Sequence, residues 1–122
     1  MLRLGKEKPE LNVVNDQTGS PTYAKDLAEA MLQMLDEIQS HHYGNIYHFS
    51  NDGVIAWFDF AQAILRLKNI ATPVKPIPTS GFPTPAKRPA YSVLDKSKIQ
   101  RDFKIRLKPW EESLKECLSQ LD

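Results

Sequence analysis

The stretch LNVVNDQTGSPTYAKDLAEAMLQMLDEI, residues 11–38, carries the two periodicities that decide the fold. Leu11 to Val14 is a short apolar run that reads as a buried strand. It feeds straight into NDQTGSPT, a cluster of turn-formers. Residues 24–39 then repeat apolar side chains at helical spacing, with Leu27, Met31, Met34, Leu35 and Ile38 on one face. Ser20 or Thr22 can cap this helix, and Pro21 is tolerated in its first turn.

Strand-then-helix recurs outward from this stretch. HHYGN (41–45) ends the helix and opens a second strand, Ile46 to Phe49, followed by the turn SNDG. A second helix is predicted from Trp57 to Lys68, burying Phe58 or Trp57 with Ala61, Ile64 and Leu65. Val74 to Pro78 reads as extended, but Pro76 restricts it to a sheet edge or to no sheet. Leu94 leads into a short helix that Asp95 can cap, with Ile99 and Phe103 inward. Lys104, Arg106 and Lys108 alternate with Ile105 and Leu107, an extended segment with one solvated face. A last helix starts near Pro109, with Glu111 and Glu112 favoured by the dipole of its first turn. Trp110, Leu114, Cys117, Leu118 and Leu121 form its apolar stripe. The class is α/β, with few short strands and about four helices. Two short core strands make a poor sheet, since most sheets have about 4–6 strands. The chain therefore reads as part of a larger fold.

Composition sets the outer bounds. A chain of 122 residues suffices for one domain with one modest core. With 41% hydrophobic and 25% charged residues it reads as a globular protein rather than a disordered one. Sixteen basic against fifteen acidic residues leave a formal charge of +1, which points to neither a nucleic-acid partner nor a membrane surface. No apolar run approaches the roughly 20 residues of a membrane span. MLRLGKEKPE has no apolar core of a secretory signal. The single Cys117 cannot form an internal disulfide, which fits a reducing cytoplasm.

Two segments can carry binding chemistry. Asn15 to Tyr23 lies between a strand end and a helix start, where open α/β sheets bind ligands. Gln17, Thr18, Ser20 and Thr22 supply donors and acceptors there, and Gly19 and Pro21 fix the turn. An ordinary strand–helix connection with a capping hydroxyl accounts for the same residues. The second segment is TSGFPTPAKRPAYS, 79–92, in a region holding six of the nine prolines between positions 73 and 89. Loops longer than about 12–15 residues are usually functional or disordered, and prolines reduce the freedom lost on ordering. Arg88, held by Pro89, suits a bidentate phosphate contact, with Phe82 and Tyr91 placed to flank a base. A solvated proline-rich connector, with Arg88 in a surface ion pair, fits equally well.

Other residues carry no reaction. His41, His42 and His48 lack metal-ligand spacing, so no metal site is expected, and His48 is expected in a strand. The acids fall at helical spacing and read as solvated faces. Cys117 reads as core. There is no glycine-rich dinucleotide fingerprint and no tyrosine followed four positions later by lysine, so neither cofactor-binding nor catalytic residues are assigned.

Four blocks resemble one family: VVNDQTGSPTYAKDLAEAM (13–31), IYHFSNDGVIAWFDFAQAI (46–64), FPTPAKRPAYSVLDKSKI (82–99) and LKPWEESLKECL (107–118). In order and spacing they are similar to the C-terminal portion of dTDP-4-dehydrorhamnose reductases, in the extended short-chain dehydrogenase/reductase superfamily. DQxGxPT and PTPAxRPxxSxLDxxK are the specific motifs. The resemblance implies a substrate domain over residues 1–122, with an N-terminal NAD(P)-binding Rossmann domain lying outside them. It implies a parent enzyme that reduces the 4-keto group of dTDP-4-dehydro-L-rhamnose with NADPH or NADH, giving dTDP-L-rhamnose for polysaccharide. Gln17, Pro21 and Thr22 then fall near the sugar-nucleotide pocket, and Thr84, Arg88 and Pro89 on a loop closing over the nucleotide. Residues 1–122 alone are expected to be inactive and to bind no cofactor, with Met1 an internal methionine at the end of a preceding helix. Uncovered strand edges and a helix face imply self-association or a homo-oligomer. Two alternatives stay open. One is a non-catalytic regulatory relative, like the β subunit of methionine adenosyltransferase; the other is a reductase or epimerase of another nucleotide sugar. Ala56 departs from the Ser or Thr common before the second helix, which removes a cap worth about 1 kcal/mol.

Overall fold

In the computed structural model, which describes residues 1–38 and 44–121, the apolar run at 11–14 forms strand β1 (Leu11–Val14). Strand β2 (Thr18–Gly19) and helix α2 (Ala24–Glu37) follow it. Helix α1 (Leu2–Glu7) precedes β1, one helix more than the sequence pattern predicts. Met1 stands just before its first turn. Glycine inside α1 hides it from propensity reading, and packing explains the glycine. A Cβ on Gly5 would lie 2.7 Å from Leu65 Cδ2 and 3.3 Å from Ile70 Cγ2, so a larger residue would force the buried Leu65 side chain to shift.

The remaining elements are strand β3 (Ile55–Ala56), helix α3 (Trp57–Leu67), strand β4 (Val74–Ile77), a 3-10 turn (Thr79–Gly81), helix α4 (Ser97–Phe103) and helix α5 (Trp110–Ser119). β1 and β4 pair in parallel, with Val13 opposite Pro76. Leu11 N donates to Pro73 O and Asn15 N to Ile77 O, so the odd-numbered residues of β4 face β1. The Pro76 nitrogen therefore points off the edge, the place where a strand proline costs no ladder bond. β2 and β3 pair antiparallel.

The expected strand at Ile46–Phe49 does not form. Its alternation is real: Tyr47 and Phe49 are half-buried on a core cluster, while Ile46 and His48 are exposed. No ladder partner lies beside it among the described residues, so the pattern yields an extended segment, and His48 is a surface residue. Its preceding turn, His41 to Tyr43, lies outside the described residues.

Two apolar clusters form the core. One joins Ala30, Ile99, Phe103, Ile105 and Leu107; the other joins Ala63, Ile64, Leu114 and Leu118, with Leu2, Phe60 and Trp110 packed against it. Ala61, Ile64 and Leu65 of α3 and Ile99 and Phe103 of α4 are buried as predicted, but Phe58 is only half-buried and Trp57 is exposed; Asp95 accepts from Ser97 N at 2.9 Å. On α5, Leu114 and Leu118 are buried, Cys117 is half-buried and Leu121 is exposed. The predicted face of α2 is corrected. Leu27 and Met34 are half-buried, Met34 against the first cluster, but Met31 and Leu35 are more than half exposed, and the helix buries Asp26 and Ala30. Asp26, read as solvated with the other acids, is buried because Asn51 Nδ2 and Ser113 Oγ donate to its Oδ2. That knot ties α2 of the first cluster to α5 of the second.

The α2 cap is also supplied from afar. Ser20 Oγ donates to Gly53 O at 2.7 Å, and no side chain of 20–22 caps the helix. Asn51 Oδ1 instead accepts from Tyr23 N at 2.7 Å. At α3 the residue before the first turn is Ala56, with no side-chain cap, as its sequence implies. Ala56→Ser is expected to add about 0.5–1 kcal/mol, read as a rise in thermal midpoint.

At the edge of the knot, Lys25 and Lys108 both donate to Glu116. Lys108, and then Lys25, hold the Glu116 carboxyl at about 2, against an ordinary 4.5. A depressed acid stabilises the fold above its unfolded value and loses that contribution as pH falls toward its folded one. Glu116→Gln should therefore flatten the fall in stability between pH 4.5 and about 2. Urea titrations across that interval measure it.

Candidate functional site

Where β1 ends, the chain is fixed at every step. Asp16 accepts from Thr79 N through both carboxylate oxygens, at 3.0 and 2.9 Å, and from Thr79 Oγ1 at 2.6 Å. The Thr79 hydroxyl, and then its amide, hold the Asp16 carboxyl below its ordinary 3.8. Gln17 Nε2 donates to the same Thr79 Oγ1 at 3.0 Å, and Gln17 O accepts from Trp57 N. Thr18 lies between two neighbours, pairing with Ala56 on one side and bridging Tyr91 on the other. Its amide donates to Ala90 O at 2.8 Å, and its carbonyl accepts from Ser92 N at 2.9 Å. Gly19 lets Ser92 lie close: a Cβ there would sit 2.8 Å from Ser92 Oγ, and the hydroxyl would have to turn aside.

The tripeptide Asp16-Gln17-Thr18 thus grips both roots of the proline-rich loop, Thr79 at one end and Ala90 to Ser92 at the other. Between them the loop stands out: residues 80–92 are all exposed. Thr84 Oγ1 donates to Ala86 O at 2.7 Å, bracing the loop internally. Arg88 has no partner among the described residues, and neither does Lys87, so both cations are available to an anion. Phe82 and Tyr91 are each more than half exposed beside them in sequence.

The six residues singled out from the sequence fall into two groups. Gln17 and the loop residues Thr84, Arg88 and Pro89 belong to one connected unit. Pro21 and Thr22 turn the other way, onto a cavity of about 90 Å³ walled by Tyr23, Phe60, Trp110 and Cys117. A larger open groove, about 600 Å³, runs along α3 past Asp59, Gln62 and Arg66, and none of the six lines it. Sequence reading missed the two residues that organise the unit, Asp16 and Thr79, and the buried Asn51 and Ser113. An Asp–Gln pair directly after a buried strand was the available signal for the first. Asn51 looked like one more turn residue in SNDG.

The arrangement is suited to binding. Lys25 is engaged by Glu116, Tyr23 reaches Gln120 and Tyr47 reaches Asp102, while Lys98 Nζ lies over the Tyr47 ring, 4.5 Å from its centroid. Among the described residues no glycine-rich turn opens a helix as a dinucleotide cradle would. The turn from β1 to α2 has a single glycine, packed against Ser92, and the amide of Tyr23 at the α2 entry is taken by Asn51. Among the described residues no group of three His, Cys, Asp or Glu side chains converges on a metal position, and no helix is long and apolar enough to cross a membrane.

Comparison with known proteins gives consistent neighbours. The family model described as RmlD substrate binding domain matches residues 1–122. The spore coat polysaccharide biosynthesis protein SpsK of Bacillus subtilis is 42% identical over 98% of this chain and 40% of its own length. A dTDP-4-dehydrorhamnose reductase of Aggregatibacter actinomycetemcomitans is 42% identical over 94% of this chain and 42% of its own. Among solved structures, a dTDP-4-dehydrorhamnose reductase from Clostridium acetobutylicum superposes with a TM-score of 0.88 at 42% identity, over 98% of this chain and 41% of that one. The Bacillus anthracis reductase, solved in complex with NADP, also gives 0.88, at 36% identity and the same coverage. The chain spans about two fifths of the length of the relatives it matches.

Proposed function

This chain belongs to the family of RmlD substrate binding domains, and on that premise we propose that it is the sugar-nucleotide-binding part of a dTDP-4-dehydrorhamnose reductase. The observation that carries this reading is the grip of Asp16, Gln17 and Thr18 on both roots of the 79–92 loop, which joins the two family motifs into one unit. In that unit Arg88 meets the diphosphate with its two-pronged guanidinium, and Gln17 reads a polar group of the ligand. Thr84 and Pro89 hold the loop's shape. Pro21 and Thr22 border the sugar end.

Residues 1–122 form the substrate domain and are inactive alone. Hydride comes from NADPH or NADH on a Rossmann half outside these residues, in a cytoplasmic enzyme that supplies dTDP-L-rhamnose for polysaccharide. Neither a nucleic acid nor a membrane is a partner. The uncovered apolar side chains of α2 support self-association of the isolated domain. The test joins this chain to its nicotinamide-binding half and follows NADPH oxidation with dTDP-4-dehydro-L-rhamnose. Turnover supports the reading, whereas a folded protein that leaves NADPH unoxidised with this substrate refutes it.

A further inference from the structure

The hydrogen-bond chain Gln17–Thr79–Asp16 has a direction, and the direction decides what Gln17 offers a ligand. A threonine hydroxyl has one proton to give. The Asp16 carboxylate is ionised and only accepts, and it lies 2.6 Å from Thr79 Oγ1, so the proton goes to Asp16. Thr79 Oγ1 is then left with lone pairs alone toward Gln17, 3.0 Å away. Only the amide NH2 of Gln17 satisfies it. A flipped amide would set two acceptors against each other. The Gln17 Oε1 atom takes no hydrogen bond from the protein and reaches solvent.

We propose that Asp16, acting through the Thr79 hydroxyl, is a positioning residue that holds the Gln17 amide with its carbonyl oxygen outward, so that the ligand group read by Gln17 is a hydrogen-bond donor. This rests on the sugar-nucleotide reading for the identity of the ligand, and on geometry alone for the orientation. Three kinds of donor on such a ligand qualify: the imide N–H of thymine, the 3′-hydroxyl of the deoxyribose and a hydroxyl of the hexose. Phosphate oxygens, which only accept, are left to Arg88.

The orientation is tested first, without ligand, on the 15N-labelled chain. One Gln17 side-chain amide proton should exchange slowly in the wild type and in Thr79→Ser, and fast in Thr79→Val and Asp16→Ala. Equal exchange in all four overturns the proposal. Unaltered backbone spectra away from the site distinguish loss of the relay from unfolding. Calorimetry with dTDP, N3-methyl-dTDP and a dTDP-hexose then identifies the donor. If the imide is read, N3-methylation weakens wild-type binding roughly three- to tenfold, the worth of one neutral hydrogen bond, and leaves Gln17→Leu unaffected. If a hexose hydroxyl is read, the hexose tightens binding by a similar factor in the wild type only. If the deoxyribose hydroxyl is read, Gln17→Leu weakens all three ligands alike; binding of dTDP with neither its affinity nor either ratio altered by Gln17→Leu overturns the acceptor role. A wild type that binds none of the three refutes the sugar-nucleotide reading, while the exchange result still decides the orientation.

Discussion

Asn51→Ala is expected to cost about 3–5 kcal/mol of folding stability, the range for removing one partner of a buried charge. Asn51 is 1% exposed and Asp26 is 8% exposed. The Asn51 amide donates to Asp26 Oδ2, to Ser113 Oγ at 2.8 Å and to Lys108 O at 3.2 Å, while its oxygen accepts from Tyr23 N. Alanine leaves the Asp26 carboxylate with Ser113 and with Lys108 Nζ at 3.8 Å, and leaves the Tyr23 amide unpaired. Domains are stable by only about 5–15 kcal/mol, so this one substitution removes a large share. Ser113→Ala deletes a single donor and should cost about 1–2 kcal/mol. Urea unfolding followed by tryptophan fluorescence reads both. An Asn51→Ala midpoint close to wild type would show that the knot does not hold α2 to α5.

Arg88→Ala is expected to weaken dTDP binding by about ten- to a hundredfold, because a hydrogen bond to a charged group contributes roughly 1.5–3 kcal/mol. Its thermal midpoint should be unchanged, since Arg88 is exposed and makes no ion pair among the described residues. Arg88→Lys should recover only part of the affinity: the charge survives, but the planar fork that fits two phosphate oxygens does not. Calorimetric titration with dTDP measures both variants. Equal affinity in wild type and Arg88→Ala would remove Arg88 from the site.

Much of this fold is legible because local periodicity and burial agree. Helices α3, α4 and α5 lie where their apolar spacing puts them, and Pro76 sits at the sheet edge its missing N–H demands. The failures share a cause, which is long-range pairing. The segment at 46–49 alternates like a strand, but strand identity depends on a neighbour that sequence spacing does not specify. Met31 and Leu35 of the α2 stripe point outward because Asp26 is drawn in by Asn51 and Ser113, 25 and 87 residues away. The site divides in the same way. Its motifs were visible as residue types, and the loop was marked by its prolines. The Asp16–Thr79 contact, spanning 63 residues, carries no local signature, so the residue that organises the loop was read as part of a turn.

The most direct test of the sugar-nucleotide site maps where the ligand lands. Titrating dTDP-L-rhamnose into the 15N-labelled chain should move the amides of residues 16–22 and 79–92 together, Thr18 and Arg88 among them. Shifts confined to the groove along α3, at Asp59, Gln62, Arg66 and Thr72, or no shifts from a folded chain, would contradict it.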